Sequence, residues 1–212
     1  MGGVLSIARQ AMVLVLNHEG IDFETVLESV EDQLGLRYGQ RNRSGPNTEL
    51  CVWHVAEDDR EAVLEGGRLQ LTGAEWFGPR SEVFAAGVRT LAAMLPLKVV
   101  ATGVNPVFEL PLESPEDLDP TVRLGERFAS AFDDDLALHE LVWCSSTSPC
   151  GHTRFRMRVL CDPWRVSIDC NWHRNHCDGG VEEAVGRMLE YHGSVSALSE
   201  RLTRAFADGA TE

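Results

Sequence analysis

Residues 150–178, CGHTRFRMRVLCDPWRVSIDCNWHRNHCD, are the part of the chain whose sequence determines its structure most directly. Apolar residues and arginines alternate over Thr153–Cys161, and apolar and polar residues alternate over Trp164–Trp172. Asp162-Pro163 between the two runs is typical of a tight turn. The stretch therefore predicts a β-hairpin with one buried face and one polar face, on which the rest of the chain packs.

The turn allows two registers that leave every side chain on the same face. Pro163-Trp164 as the central turn pair is preferred, because proline suits the first central position, and it would place Arg158 opposite Asp169. Asp162-Pro163 as the central pair would place Arg156 opposite Asp169. Both registers predict an arginine stripe with polar residues across from it, made of Arg154, Arg156, Arg158, Asp169 and Asn171. The stripe is either a solvated, self-paired surface or a site for an acidic partner.

The open end of the hairpin brings together five thiol and imidazole side chains, because the preferred register places Cys150 opposite Cys177. The five residues are Cys150, His152, His173, His176 and Cys177. Thiolate and imidazole donors in a near-tetrahedral arrangement are what zinc requires, so this end is a candidate metal site, although the spacing matches no zinc-finger pattern. Without a metal, these would be half-buried structural side chains or a cysteine–histidine nucleophile pair.

The composition restricts the classes of partner. The formal charge of −14 argues against a general nucleic-acid binder and against binding to an anionic membrane surface. No stretch approaches the ~20 apolar residues of a transmembrane helix, and the first residues lack the pattern of a signal peptide. Six cysteines are too few for a secreted disulfide scaffold. We therefore expect a cytosolic, reduced protein with no nucleic-acid or membrane partner.

Helical periodicity recurs along the rest of the chain. One helix is expected between an N-cap at Asp22 and a stop at Gly35, and another is opened by Gly78-Pro79-Arg80-Ser81 and ended by Pro96. A helix capped by Asp178 would be interrupted at His192-Gly193 and followed by a last helix. A modest helix over Thr121–Phe132 and an acidic turn at Asp133–Asp135 are also expected.

Short apolar or alternating runs predict strands outside the hairpin. They lie at Ala11–Leu16, Leu50–Val55, Arg68–Thr72, Leu97–Leu110 and Leu136–Trp143. Gly103 and Pro106 predict a bulge or an edge position in the long fourth run. The segments 37–48 and 144–151, rich in small and polar residues, predict loops.

The order of these elements predicts the fold class. Residues 11–95 and 97–191 each read strand, helix, strand, strand, helix, which suggests two β-α-β-β-α halves. The prediction is a single α+β domain over residues 1–212, with a mostly antiparallel sheet and helices packed on one face.

Two functional hypotheses follow. The first is a non-catalytic interaction or assembly component that binds a protein partner, or itself, through the open sheet face or an edge strand. It is favoured because no phosphate-binding loop and no nucleophile elbow occur in the sequence. The alternative is a small metal-dependent hydrolase centred on the Cys/His cluster, with zinc as its cofactor.

Overall fold

The computed structural model describes most of the chain. The described residues are 4–17, 22–36, 40–43, 49–55, 60–65, 67–78, 80–95, 98–113, 140–148, 151–161, 163–176 and 180–208. The expected helix over Thr121–Phe132, the turn at Asp133–Asp135 and the cap at Asp178 lie outside these residues.

Eleven strands form one sheet in the described part of the chain. They are β1 (Ser6–Arg9), β2 (Ala11–Asn17), β3 (Gln40–Arg43), β4 (Glu49–Val55), β5 (Arg60–Glu65), β6 (Arg68–Thr72), β7 (Lys98–Val104), β8 (Val107–Pro111), β9 (Glu140–Ser148), β10 (Gly151–Cys161) and β11 (Trp164–Asn175). The helices are α1 (Phe23–Gln33), α2 (Ser81–Met94) and α3 (Val181–Asp208), with a 3-10 turn at Ala74–Trp76.

All pairings between described strands are antiparallel. The strands β1 and β2 share one position in the sheet, and β7 and β8 share the next, so the eleven strands occupy 9 positions. The order across the sheet is β9, β10, β11, β8/β7, β1/β2, β6, β5, β4, β3. The predicted α+β class with a mostly antiparallel sheet is confirmed.

Each predicted half contributes five strands, β2–β6 and β7–β11, where three had been expected. Each half begins near the middle of the sheet, with β2 or with β7 and β8. The next described strand, β3 or β9, lies at an edge, and the strands that follow are placed one after another from that edge back toward the middle. The duplication of the two halves itself stays a prediction.

The sequence underestimated the length and number of strands. The expected loop over 37–48 contains β3, and the expected loop over 144–151 contains the second half of β9. Both errors have the same cause: the polar composition favours a loop, whereas pairing with β4 or β10 supplies the backbone hydrogen bonds of a strand, and the local sequence does not show that pairing.

The hairpin exists, but the preferred register is wrong. Cys161 pairs with Trp164 and Arg156 pairs with Asp169, which is the second of the two registers. A slip of two residues keeps both faces of each strand, and therefore the alternation could not discriminate between the registers. In the observed register His152 faces His173, whereas the preferred register had placed it opposite Asn175.

The first helix has the predicted ends. The Asp22 carboxylate accepts hydrogen bonds from the Thr25 hydroxyl at 2.6 Å and from the Thr25 amide at 3.0 Å, and these two bonds lower the pKa of the Asp22 carboxyl. Gly35 adopts a φ of 63°, and the Leu36 amide donates to the Glu31 carbonyl at 2.8 Å. This left-handed glycine with a backward hydrogen bond is the usual end of an α-helix.

The last helix is continuous, so the predicted interruption at His192-Gly193 is wrong. Buried residues at helical spacing run past the glycine and hold both sides of it against the core; they are Val185, Met188, Tyr191, Val195 and Leu198. Burial of this stripe outweighs the cost of about 1 kcal/mol for a glycine in a helix interior.

One continuous hydrophobic core joins the helices to one face of the sheet. It includes Met12 and Leu14 of β2, Leu69 and Leu71 of β6, and Ile168 of β11. Helix α2 packs between α1 and α3, and α3 contacts β7. The three described helices therefore cover one face, and we call the opposite face the open face.

Candidate functional site: the open face of the sheet

The open face carries the arginine stripe predicted from the sequence. The pairing of β10 with β11 sets Arg154 opposite Asn171 and Arg156 opposite Asp169. All five predicted partner-binding residues alternate with the core residues of their strands and therefore share this face. Their role in binding stays a prediction, but the fold brings them together.

Part of the stripe is paired within the protein. Arg158 Nη2 lies 2.7 Å from Asp169 Oδ2, and both side chains are about one-third exposed. Next to it, Arg165 Nε lies 3.2 Å from Glu109 Oε1. Arg154 differs, since it is exposed and makes no hydrogen bond or ion pair within the described part of the chain. The stripe thus has a self-paired end and an unpaired end.

Two adjacent positions in the sheet, the one shared by β1 and β2 and the one shared by β7 and β8, are interrupted side by side. The first is broken at Gln10, between β1 and β2, and the second at Asn105-Pro106, between β7 and β8. The Asn105 amide donates to the Ala11 carbonyl at 2.8 Å, so the two breaks adjoin. Proline lacks an N–H group, which explains the loss of regular pairing at that point.

The break is supported from the helix side. The Ala11 amide donates to the Tyr191 hydroxyl at 3.1 Å, and the Tyr191 ring stacks on Phe77 with centroids 3.9 Å apart. Burial raises the pKa of Tyr191. The hydroxyl therefore keeps its proton and serves as a fixed acceptor under the break.

A hollow of about 280 Å³ lies on the open face at this break, and we call it the break pocket. It is lined by Arg9, Ala11, Gln70, Asn105, Val107, Arg154, Arg156, Asp169, Cys170 and Asn171. Arg9, Gln70 and Asn105 were missed by the sequence analysis because they belong to strands distant in sequence from the hairpin. The sequence gives only a weak indication of these three residues. Arg9 and Gln70 are polar residues beside or within apolar runs, and Asn105 precedes a proline.

The strand registers define how the pocket residues are arranged. One row across four strands contains Arg9, Val107, Asp169 and Arg156. Arg9 and Arg156 are therefore separated by three strand spacings, about 14 Å. Arg9 and Arg156 therefore lie at opposite ends of a short row of residues that contains Asp169.

The pocket has a positive balance on an acidic chain. Arg9 and Arg154 are exposed and make no hydrogen bond or ion pair within the described part of the chain. Asp169, in contrast, is held by Arg158. A guanidinium without a carboxylate partner can offer two parallel N–H donors to a ligand.

Two buried polar atoms near the pocket make no hydrogen bond to the described protein. They are Oδ1 of Asn105 and Nε of Arg158. A buried polar atom without a partner costs about 1–3 kcal/mol, so such atoms are uncommon away from ligand sites.

The cysteine beside the pocket is not suited to nucleophilic chemistry. Cys170 is buried, and burial, with a smaller effect of the Asp169 charge, raises the pKa of its thiol to about 12. At neutral pH the sulfur is therefore protonated, and a thiol is a much weaker nucleophile than a thiolate.

A second polar cluster lies under α3, and we call it the buried network. His176 Nδ1 is 2.8 Å from Glu183 Oε2, and His176 Nε2 is 3.0 Å from Thr102 Oγ1. Arg187 donates to Thr102 Oγ1 at 2.7 Å and to the Trp172 carbonyl at 3.1 Å. Burial, with the nearby Arg174 charge, lowers the pKa of Arg187.

The carboxylate, imidazole and hydroxyl of the buried network lie in a row, as in a hydrolytic triad. A substrate could not reach the hydroxyl, however, because the hydroxyl is buried. Thr102 is 0% exposed, and its hydroxyl oxygen already accepts from Arg187. A neutral His176 with its proton on Nδ1 satisfies every group. We conclude that the cluster fastens α3 to β7 and β11.

The predicted metal ligands are only partly brought together. The rings of His152 and His173 stack with centroids 4.9 Å apart, and His173 Nε2 lies 2.9 Å from Asn175 Oδ1. His176 instead belongs to the buried network. Cys150 and Cys177 lie outside the described residues, and within those residues no group of three or more His, Cys, Asp or Glu could hold a metal ion. The five-residue zinc site stays a prediction.

A larger hollow of about 530 Å³ lies between α3 and the open end of the hairpin. Its lining includes Arg174, Glu183 and Arg187. These groups bond to one another or to the sheet, with Arg174 Nε 2.7 Å from Glu183 Oε1. Although smaller, the break pocket is the better candidate because two of its arginines, Arg9 and Arg154, make no hydrogen bond or ion pair within the described part of the chain.

No known family model and no curated protein matches this chain. Among the described helices, none has the length and apolar character needed to cross a bilayer. The functional argument therefore depends on the site itself.

Proposed function

We propose that this chain is a non-catalytic, cytosolic interaction protein that binds an acidic segment of a protein partner on its open face. The observation that carries the proposal is the pair Arg9 and Arg154, exposed and without partners in the described chain, at the two sides of the break pocket. Exposed arginines that meet no carboxylate in an acidic protein favour a partner that supplies one.

The overall charge of −14 is compatible with an acidic partner because charge acts locally in salt. The Debye length is about 8 Å at physiological ionic strength, so contacts at the pocket outweigh distant repulsion. The rest of the acidic surface would instead disfavour acidic partners that dock elsewhere, which adds specificity.

The arrangement of the polar groups supports binding over catalysis. The thiol beside the pocket is protonated, and the hydroxyl of the buried network is enclosed and already bonded. The alternative, a metal-dependent hydrolase, receives no support from His176, because both of its ring nitrogens lie within hydrogen-bonding distance of protein groups.

The proposal is tested with a defined acidic probe. A fluorescent peptide of alternating glutamate and threonine, amidated at its C-terminus, is titrated with the full chain, and anisotropy gives the Kd. Arg154→Glu should weaken binding at least about tenfold, because it replaces an attraction by a repulsion at the pocket. Added salt should weaken binding by the parent protein.

The matched control is Arg204→Glu, which makes the same change of charge at an exposed arginine of α3. It should leave the Kd nearly unchanged. A glutamine/threonine peptide should not bind. Equal loss in both arginine variants would indicate a non-specific charge effect and would contradict the proposal.

A further inference from the structure

We infer that the break pocket binds one carboxylate group of the partner, an aspartate or glutamate side chain, through forked contacts from Arg9 and Arg154. The inference rests on the proposed function and adds the chemical class that the pocket recognises. It assigns a binding role to Arg9, at the end of β1, and to Asn105, between β7 and β8.

The size of the pocket fits a side chain. Its volume of about 280 Å³ is at the lower limit of small-molecule sites, which run from about 300 to 1,000 Å³. A nucleotide or a large cofactor would not be enclosed there. A single acidic side chain from an extended segment would fit within the hollow while its backbone stayed above the sheet.

The charge of the pocket fits an anionic group. Asp169 lies in the row between Arg9 and Arg156, and its charge is balanced by Arg158 at 2.7 Å, so Arg9 and Arg154 leave the pocket with a positive balance. A dianionic phosphate would be attracted by the arginines and repelled by Asp169 about twice as strongly as a carboxylate, because Coulomb energy scales with charge. A planar carboxylate also matches the planar fork of a guanidinium.

The floor of the pocket offers a positioned amide. Asn105 is anchored by its backbone N–H to the Ala11 carbonyl, and its carboxamide lies above Gly103, where a Cβ would approach Nδ2 to 3.6 Å. One carboxamide atom, Oδ1, is buried without a protein partner. Rotation of the carboxamide by 180° about its Cβ–Cγ bond would replace this acceptor with an N–H donor. A ligand carboxylate would supply the missing acceptor.

The test separates fork geometry from charge. Arg9→Lys and Arg154→Lys keep the positive charge but remove the paired donors, and each should weaken binding of the glutamate/threonine peptide about fivefold. Asn105→Asp places a second carboxylate on the floor and should weaken binding about tenfold or more. Arg204→Lys is the matched control and should bind like the parent.

A second measurement does not depend on variants. In two-dimensional amide NMR spectra of the full chain, sodium glutarate should shift the side-chain amide signals of Asn105 and Asn171, while the signal of Asn175, outside the pocket, should stay in place. Equal shifts of all three would overturn the inference.

The outcomes distinguish the two proposals. If both lysine variants bind like the parent while Arg154→Glu loses binding, the open face attracts acidic partners without a carboxylate pocket, and only the inference fails. If Arg154→Glu also binds like the parent, the proposed function fails. Tighter binding of a matched phosphothreonine peptide would overturn the choice of carboxylate.

Discussion

The buried network and the break pocket are both built from polar side chains, but they differ in how completely those groups are satisfied. In the buried network, both nitrogens of His176 are bonded, and Arg187 reaches two acceptors. In the break pocket, Arg9 and Arg154 meet no carboxylate within the described chain, and Oδ1 of Asn105 has no protein partner.

This difference indicates what each cluster does. Polar groups that bond to one another stabilise the fold and leave nothing for a ligand. Polar groups held in place without partners cost stability and persist where they serve another purpose. Damage to the buried network should therefore unfold the protein, whereas damage to the break pocket should change only binding.

The largest expected effect comes from Thr102→Val. It keeps the shape of the side chain but leaves Arg187 and His176 without their shared partner, which should lower the free energy of unfolding by about 3 kcal/mol. Urea unfolding followed by circular dichroism measures the change. Thr90→Val removes an exposed hydroxyl from α2 and should cost less than about 0.5 kcal/mol. Equal effects would mean that the buried network adds no stability.

Gly180→Ala should cost about 2 kcal/mol. A Cβ at this position would come within 2.4 Å of the His176 ring, and the φ of 28° is unfavourable for alanine. Gly193 lies inside α3, and a Cβ at this position would meet nothing within 4 Å. Gly193→Ala should therefore stabilise the protein by up to about 1 kcal/mol. Thermal unfolding of both variants checks the contrast, and a gain from Gly180→Ala would refute it.

Alkaline pH should destabilise the protein through Cys170. Its thiol pKa is raised from 9.0 to about 12, so folding favours the protonated form. This contribution is complete below pH 9 and is lost as pH rises toward 12, at about 1.4 kcal/mol per pH unit. Unfolding between pH 9 and 10 should show a shallower slope in Cys170→Ala. An unchanged slope would exclude the thiol as the cause.

Arg154→Ala should change stability by less than about 0.5 kcal/mol, because the side chain is exposed and unpaired within the described chain. Arg158→Ala should cost about 1 kcal/mol, since it leaves Asp169 without its ion pair. A large loss in Arg154→Ala would show that this arginine is structural, and it would remove the distinction between the two clusters.

The smallest effect is expected from zinc. Zinc binding through His176 would require breaking its bonds to Glu183 and Thr102, so we expect neither stoichiometric zinc in untagged protein nor a change of Tm with a chelator. Mass spectrometry of metal content checks this. One zinc per chain, lost in Cys177→Ser, would instead support the five-residue site.

The sequence alone determined the local structure wherever adjacent residues carry the information. The alternation over residues 153–172 established the hairpin and its two faces, and Asp22 and Gly35 established the ends of α1. Alternation and caps act within a few residues, so they are readable without knowledge of distant contacts.

The tertiary structure decided what depends on partners distant in sequence. The hairpin register, β3 and the continuity of α3 past Gly193 are set by neighbouring strands or by the core. The site followed the same rule: the arginine stripe of β10 was visible in the sequence, but Arg9 and Asn105 join it because β1 and β8 lie beside β11. The sequence lacks that information because the period of a strand specifies its faces but not its neighbours.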